Sequence, residues 1–249
     1  MLRATALALL TALPAGAQTV LPGEPGKAAF VRANLVATFY HEVGHALIDT
    51  LDLPVLGREE DAADMLSVLL IDRLWQDEAA GDLIRQVADA YILFDARSET
   101  KGEGLPYWDT HSLDLQRYYN FVCLFYGADP DAREGLADEL DLPTERRESC
   151  PEEYEQAANS WGAMLDGMPP QDNRPGFRLV VPADRDALTA LVAEEVRALN
   201  GEYGLPQTID VTVEPCGEPN AIYDPRARRI VMCTEYADDL GKLYEEAAK

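Results

Sequence analysis

Two of the three histidines in this 249-residue chain lie four residues apart, in the segment FYHEVGHALID at residues 39–49. On a helix, residues i and i+4 lie one above the other, so His41 and His45 can present two imidazoles to one metal ion. Glu42 follows the first histidine directly, close enough to a water molecule at that metal to accept its proton. This spacing predicts a zinc site whose general base is Glu42, and the alternative is a buried histidine pair with ordinary hydrogen bonds.

A catalytic zinc ion needs a third protein ligand and one open position. The candidates lie downstream in GREEDAADMLS, residues 57–67. Glu60 and Asp64 share a helix face, so one carboxylate can bind the metal while the other accepts a hydrogen bond from a ligand histidine. Glu59 and Asp61 are rival ligands, and acidic residues are also common in the first turn of a helix because of its dipole. The residues alone leave this choice open.

The third histidine lies in PYWDTHSLDLQRYYN, residues 106–120. His111 could donate a hydrogen bond to the oxyanion that forms when water attacks a carbonyl, or it could cap the helix that follows. Tyr118 is seven residues further on and is expected to share a helix face with His111, which makes it a second candidate catalytic residue. Arg117 is expected to point elsewhere unless the helix bends, and it could pair with an acid.

Helices must position these side chains, and the hydrophobic pattern predicts helices over the first two-thirds of the chain. In chain order they cover residues 27–51, 59–75, 79–96, 111–127 and 151–167. Pro54 disfavours helical geometry at Leu53 and so ends the first helix. The turn at this point gives the second helix room to fold back, which would bring the acidic segment toward the two histidines.

The pattern changes after MPPQDNRPG, residues 168–176. Strands are predicted at residues 177–181, 208–216 and 228–233, an amphipathic helix at 183–200, and a short acidic helix at the C-terminus. Between the last two strands, Asn220 and Tyr223 could line a cleft, although the surrounding Asn, Pro, Asp and Gly residues are also typical of turns. These elements predict an α+β fold in which a small C-terminal sheet packs on a mostly helical body. The segment at 168–176 could mark a subdomain boundary or only a loop.

The first seventeen residues, MLRATALALLTALPAGA, contain one basic residue, a short apolar run and small residues at positions 15–17. This pattern predicts a secretory signal peptide that is cleaved before Gln18. The apolar run from Ala4 to Leu13 is too short to span a bilayer. We therefore expect an exported protein, periplasmic or secreted, whose mature chain has no membrane span.

Acidic residues dominate the charge, with 45 Asp and Glu against 21 Lys and Arg and a formal net charge of −24. Such a surface repels phosphate backbones and anionic lipids. The charge therefore argues against nucleic acid or a membrane surface as a partner, but it does not identify a substrate.

The chain has four cysteines, and an even number in an oxidising compartment favours two disulfides. Of the three pairings, we favour Cys123–Cys150 and Cys216–Cys233, because each pair lies within its own local unit. A zinc site with four thiolates is the competing interpretation, but the sequence contains no CxxC pair.

The segment HEVGH followed by EEDAAD resembles the gluzincin arrangement of zinc metallopeptidases, in which an ExxxD helix carries a glutamate ligand. The segments FYHEVGHALI, GREEDAAD, WDTHSLDLQRYYNFVCLFYG, CPEEYEQAANSW and CGEPNAIYDP more closely resemble a family of exported bacterial proteins described as putative metallopeptidases. This resemblance spans nearly all of residues 18–249 and implies one metallopeptidase-like domain with a zincin-like fold. It implies that His41, His45 and Glu60 bind Zn²⁺, that Glu42 is the base, and that Asp64 orients a ligand. The gap between the two helices is shorter than in thermolysin-like enzymes.

The residues and the resemblance together lead to the hypothesis of an exported zinc metallohydrolase, foremost a peptidase that acts on a peptide or amide substrate. Zinc would polarise the scissile carbonyl, and Glu42 would pass a proton from water to the leaving amine. Two alternatives remain open at this point. One is a zinc amidase that acts on cell-wall components, and the other is an inactive, disulfide-stapled module that keeps zinc for its structure.

Overall fold

A computed structural model of the chain describes residues 19–171 and 174–247. The predicted signal peptide and its cleavage site before Gln18 lie outside these residues. No helix within the two ranges combines the length and the apolar character that crossing a membrane requires.

The helices lie mainly in the first two-thirds of the chain and the strands in the last third. The helices are α1 (Pro25–Thr50), α2 (Glu59–Leu74), α3 (Asp77–Lys101), α4 (Asp114–Ala128), α5 (Pro130–Glu139), α6 (Thr144–Arg147), α7 (Cys150–Ala157), α8 (Ala163–Asp166), α9 (Ala187–Glu202) and α10 (Thr234–Ala247). A π-helical stretch, Ala158–Gly162, joins α7 to α8. The strands are β1 (Phe177–Leu179), β2 (Ile209–Glu214), β3 (Ala221–Asp224) and β4 (Arg229–Cys233).

Helix α1 is the central element and carries the HEVGH segment. It begins after Glu24, whose carboxylate accepts hydrogen bonds from the backbone N–H groups of Gly26 and Lys27, with Pro25 in the first turn. Most of its side chains are buried, because it packs against α2, α3, α9, α10 and two strands of the sheet. A helix held on so many sides is a rigid base for a functional site.

Helix α2 folds back onto α1, and a glycine sets how closely the two helices approach. A Cβ atom on Gly44 would lie 2.8 Å from the Cα atom of Ala63, so only glycine fits at this position. The chain reverses between the helices at Asp52, whose φ of 52° lies in the left-handed region. This contact brings the acidic start of α2 over the histidines of α1.

The sheet has the strand order β1-β2-β4-β3. Strands β1, β2 and β4 are parallel, and α9 connects β1 to β2. Strand β3 pairs antiparallel with β4 and forms one edge of the sheet. Buried side chains of the sheet, including Val211 and Ile230, belong to the same hydrophobic core as Phe39 and Leu47 of α1. The segment at 168–176 therefore connects two parts that share one core.

The α+β fold with a mostly helical body and a small C-terminal sheet is confirmed, but several element boundaries differ from the prediction. Helix α4 begins at Asp114 rather than at residue 111, and α5 and α6 are additional helices. Strand β3 lies within the segment that was predicted to form turns. Its four residues are flanked by turn-forming residues, and its pairing with β4 stabilises the extended conformation.

Both disulfide bonds join the cysteines that the sequence favours. Cys123–Cys150 links α4 to the start of α7, across a sequence separation of 27 residues. Cys216–Cys233 links the segment after β2 to the end of β4, across 17 residues. Among the described residues, no cysteine is free. The second disulfide therefore ties the start of the loop between β2 and β3 to the end of β4.

Candidate metal centre

Three donor atoms from α1 and α2 converge at the wall of a cleft. The Nε2 atoms of His41 and His45 are 3.1 Å apart, and each lies 3.1 Å from Oε2 of Glu60. Ligand atoms of a tetrahedral zinc ion, each about 2.0 to 2.1 Å from the metal, are separated by roughly 3.3 Å. The three residues thus have both the chemistry and the spacing of a metal site.

Each histidine is oriented by a carboxylate on its other ring nitrogen. Nδ1 of His41 donates a hydrogen bond to Oδ1 of Asp64 at 2.7 Å, and Nδ1 of His45 donates to Oε1 of Glu59 at 2.8 Å. A proton held on Nδ1 leaves the lone pair on Nε2 directed at the shared centre. Asp64, to which the resemblance assigns an orienting role, thus contacts His41, and Glu59 contacts His45 in the same way, which the sequence did not predict.

Arg117 holds Asp64 in place from the neighbouring helix α4. Its Nε and Nη2 atoms each donate to one oxygen of Asp64 at 2.8 Å, and its guanidinium lies 4.8 Å from the centre of the Tyr91 ring. Burial alone would raise the pKa of Asp64, but Arg117 and the hydrogen bond from His41 outweigh it and hold that pKa well below its usual range. Asp64 therefore stays ionised and remains an acceptor for the hydrogen bond from His41.

The pKa values at the centre reflect dense pairing between imidazoles and carboxylates. Burial lowers the pKa of His41, but hydrogen bonds to Asp64 and Glu60 outweigh it and raise the pKa to about 9. Burial raises the pKa of Glu60, yet hydrogen bonds from all three histidines hold it well below its usual range. A metal cation that binds these donors takes the place of the shared protons.

Glu42 is buried in the cleft wall beside the donor cluster. Burial raises the pKa of its carboxyl above the usual range, although the two neighbouring histidines counteract the shift. The backbone N–H of Tyr223 in β3 faces this carboxylate and also counteracts the shift. A carboxylate with a raised pKa in a cleft is a suitable proton acceptor.

His111 joins the centre from the loop before α4. Its Nε2 lies 3.0 Å from Oε2 of Glu60, and its Nδ1 lies 3.3 Å from Oδ1 of Asp109. The imidazole is about half exposed, and it stacks on the His41 ring with the ring centres 5.9 Å apart. This half-exposed histidine therefore borders both the donor cluster and the cleft.

Tyr118 does not reach the centre, so its predicted catalytic role is wrong. Its side chain is buried, and its hydroxyl donates a hydrogen bond to the carbonyl oxygen of Leu140 at 2.5 Å. Because α4 begins only at Asp114, helical spacing does not extend back to His111, and the predicted shared face does not exist. The neighbouring Arg117, which was expected to point elsewhere, faces the cleft instead.

The cleft has a volume of about 1090 Å³ and runs between α1, α3, α4 and β3. Asn220 and Tyr223 line it, as the sequence allowed, and the Tyr223 hydroxyl donates to Asp49 of α1 at 2.7 Å. The carbonyl of Asn220 accepts a hydrogen bond from the backbone N–H of Cys233 in β4. Since main-chain groups alternate along an antiparallel strand, those of Ala221 and Tyr223 point away from β4 and toward the cleft.

Comparison with known proteins connects this centre to one family. The profile of a family described as "Putative metallopeptidase" (DUF4344) matches residues 18–165 and 185–249. Searches among curated proteins and among solved structures found no match. The matched ranges cover well over half of the chain and contain the three donors, Glu42 and His111, and a metallopeptidase requires a bound metal ion. The chain therefore belongs to this family of putative metallopeptidases.

Proposed function

We propose that this protein is a zinc peptidase that cleaves an extended peptide bound alongside β3. The observation that carries the proposal is the position of the β3 edge beside Glu42 and the donor cluster, with the main-chain groups of Ala221 and Tyr223 directed at the cleft. The N–H of Ala221 donates to Oδ1 of Asn220 and that of Tyr223 faces Glu42, so this edge offers the carbonyls of the two residues to an extended peptide, which would add as a further strand. This feature favours a peptide over a small non-peptide amide.

Zinc suits the donor set better than the harder cations do. Two imidazoles and one carboxylate are a familiar ligand set of catalytic zinc, which keeps a fourth position open. Mg²⁺ and Ca²⁺ prefer oxygen ligands alone. When bound, zinc would polarise the scissile carbonyl and make an attacking water molecule more acidic. A purely structural zinc site has four protein ligands and no cleft, so the geometry also favours catalysis over an inactive module.

Residues of the chain would transfer the proton, stabilise the oxyanion and orient the metal ligands. Glu42 accepts a proton from the attacking water and delivers it to the leaving amine, a task that its raised pKa favours. His111 donates a hydrogen bond from Nε2 to the developing oxyanion, and Asp109 on Nδ1 keeps that ring oriented. Asp64 and Glu59 hold the two ligand imidazoles in the required tautomer.

The test uses the chain that starts at Gln18, because we also propose that residues 1–17 direct export and are removed. Zinc content is measured by elemental mass spectrometry, and cleavage of a peptide library is measured by liquid chromatography with mass spectrometry. Glu42→Gln keeps the size of the side chain but removes the base, so zinc should remain while turnover falls by at least ~100-fold.

Glu195→Gln is the matched control for this experiment. Glu195 is as deeply buried as Glu42 and its pKa is also raised by burial, but it lies outside the cleft, hydrogen-bonded to the Tyr40 hydroxyl. This variant should keep both zinc and turnover. Full activity in Glu42→Gln would contradict the mechanism. Cleavage of muropeptides without cleavage of peptides would favour the cell-wall amidase, and zinc without any hydrolysis would favour the inactive module.

A further inference from the structure

The cleft follows one face of α1 along most of the helix. Its lining residues recur at helical spacing from Asn34 through His41 and His45 to Asp49. The donor cluster lies near the middle of this face, so the cleft continues for about two turns toward the N-terminus of α1. A substrate that fills the cleft would therefore also contact the surface on that side of the metal centre.

On that side, the cleft contains a recess with an apolar floor. Ala37, Val87, Ala90 and Phe121 form the floor, and all four are buried although they border the cavity. Ala37 lies one helical turn before His41, so the recess adjoins the donor cluster directly. Two of these residues are alanines, whose small side chains leave space that larger core residues would otherwise fill.

Aromatic rings and paired polar groups complete the walls of the recess. Phe94, Tyr91 and Tyr236 line it. The hydroxyls of Thr38 and Tyr236 share a hydrogen bond of 3.2 Å, and the amide nitrogen of Asn34 donates to two backbone carbonyls. Arg117 is engaged with Asp64 and the Tyr91 ring. A charged side chain that enters this space would lose its hydration and find polar groups that are already paired. An apolar side chain would instead be stabilised by burial.

We propose that this recess binds one large apolar side chain of the substrate, preferably an aromatic one, next to the scissile bond. The inference rests on the proposed peptidase function and adds its substrate class. The rings of Phe94, Phe121 and Tyr91 offer faces and edges against which another ring can pack in offset or edge-to-face geometry. The recess therefore selects peptides with a phenylalanine-like residue beside the bond that is cleaved.

Two small zinc ligands test the recess without any turnover. Acetohydroxamic acid and phenylpropanohydroxamic acid carry the same metal-binding group and differ by a benzyl group. Their affinities for the zinc-loaded chain are measured by isothermal titration calorimetry. The benzyl group should improve the affinity by roughly tenfold or more, because the recess removes it from water.

Variants of the recess show whether the benzyl group binds there. Ala90→Leu fills the floor and Phe94→Ala removes an aromatic wall, so each should abolish most of the difference between the two ligands and leave the affinity for acetohydroxamic acid intact. Ile92→Ala is the control, since Ile92 lies on the same helix but is 42% exposed and outside the cleft. Thermal unfolding checks that each variant is folded, and if Ala90→Leu is not, Phe94→Ala decides the test.

The outcomes separate the two proposals. If both hydroxamic acids bind equally well, or if the recess variants keep the full difference, the recess proposal is wrong and the zinc site stands. If neither compound binds to the zinc-loaded chain, the metal has no accessible position, and the proposed function and the recess proposal that rests on it both fail.

Discussion

One oxygen atom, Oε2 of Glu60, lies at the meeting point of all three histidines of the chain. It is within 3.1 Å of Nε2 of His41 and His45, and 3.0 Å from Nε2 of His111. The two acidic neighbours of Glu60 have other partners. Glu59 accepts from Nδ1 of His45, and Asp61 accepts from the hydroxyl of Ser112 at 2.7 Å. We therefore propose Glu60, and neither neighbour, as the third metal ligand.

Substitution of Glu60 tests this assignment. Glu60→Gln removes a charged ligand, so zinc affinity should fall by more than the ~10 to 100-fold that is typical when only an orienting partner is lost. Asp61→Asn is the matched control and should bind zinc as tightly as the wild type. Competition with a metal chelator measures both affinities. Loss of zinc in Asp61→Asn together with retention in Glu60→Gln would show that the third ligand was assigned incorrectly.

At the scale of elements, the centre depends on the contact between α1 and α2. Gly44 faces Ala63 so closely that an added Cβ would lie 2.8 Å from a backbone carbon, and backbone cannot move aside as a flexible side chain can. Glu60 and Asp64 lie on the same helix as Ala63, one turn or less away. A shift of α2 would therefore move the third donor and the orienting carboxylate together.

Gly44→Ala should separate α1 from α2. We expect it to lower the free energy of unfolding by about 1 to 3 kcal/mol, the usual cost of overpacking, and to weaken zinc binding as well. Gly135→Ala is the control, because Gly135 lies in α5 with nothing within 4 Å of an added Cβ. There, alanine should be neutral or stabilising by about 0.5 to 1 kcal/mol. Urea unfolding and zinc titration provide the measurements, and unchanged zinc affinity in Gly44→Ala would contradict the positioning role of this contact.

At the scale of the whole molecule, the formal net charge of −24 is the dominant electrostatic feature. Ion pairs such as Arg85–Glu139 and Arg178–Asp210 lie at the surface. Exposed pairs of this kind each contribute little to stability, whereas repulsion among the excess carboxylates acts over the entire folded chain. Repulsion should therefore outweigh attraction at neutral pH.

Added salt should consequently stabilise the protein. At about 0.1 M and above, salt screens charges that are more than about 10 Å apart, so the Tm at pH 7 should rise as sodium chloride is added. Calorimetry on the metal-loaded chain measures the change, and potassium chloride should give the same result if screening is the cause. A Tm that falls with salt would mean that surface ion pairs dominate instead.

The sequence by itself determined the features that depend on neighbouring positions along the chain. The HEVGH spacing places His41 and His45 on one helix face whatever α1 packs against, because i and i+4 residues always meet on a helix. The 3.6-residue apolar pattern located the long helices for the same reason. The disulfides Cys123–Cys150 and Cys216–Cys233 were favoured because each closes a local loop, but four cysteines allow three pairings, and the structure selects this one.

Only the tertiary structure decided which of several chemically equivalent residues meet at the centre. Glu59, Glu60 and Asp61 are alike in sequence, and the packing of α2 on α1 turns each of them toward a different partner. Arg117 rather than Tyr118 faces the cleft because the packing of α4 on α2, α3 and α7 sets its rotation. Strand β3 exists because β4 pairs with it. These outcomes depend on contacts between segments far apart in the chain, and short-range patterns do not encode such contacts.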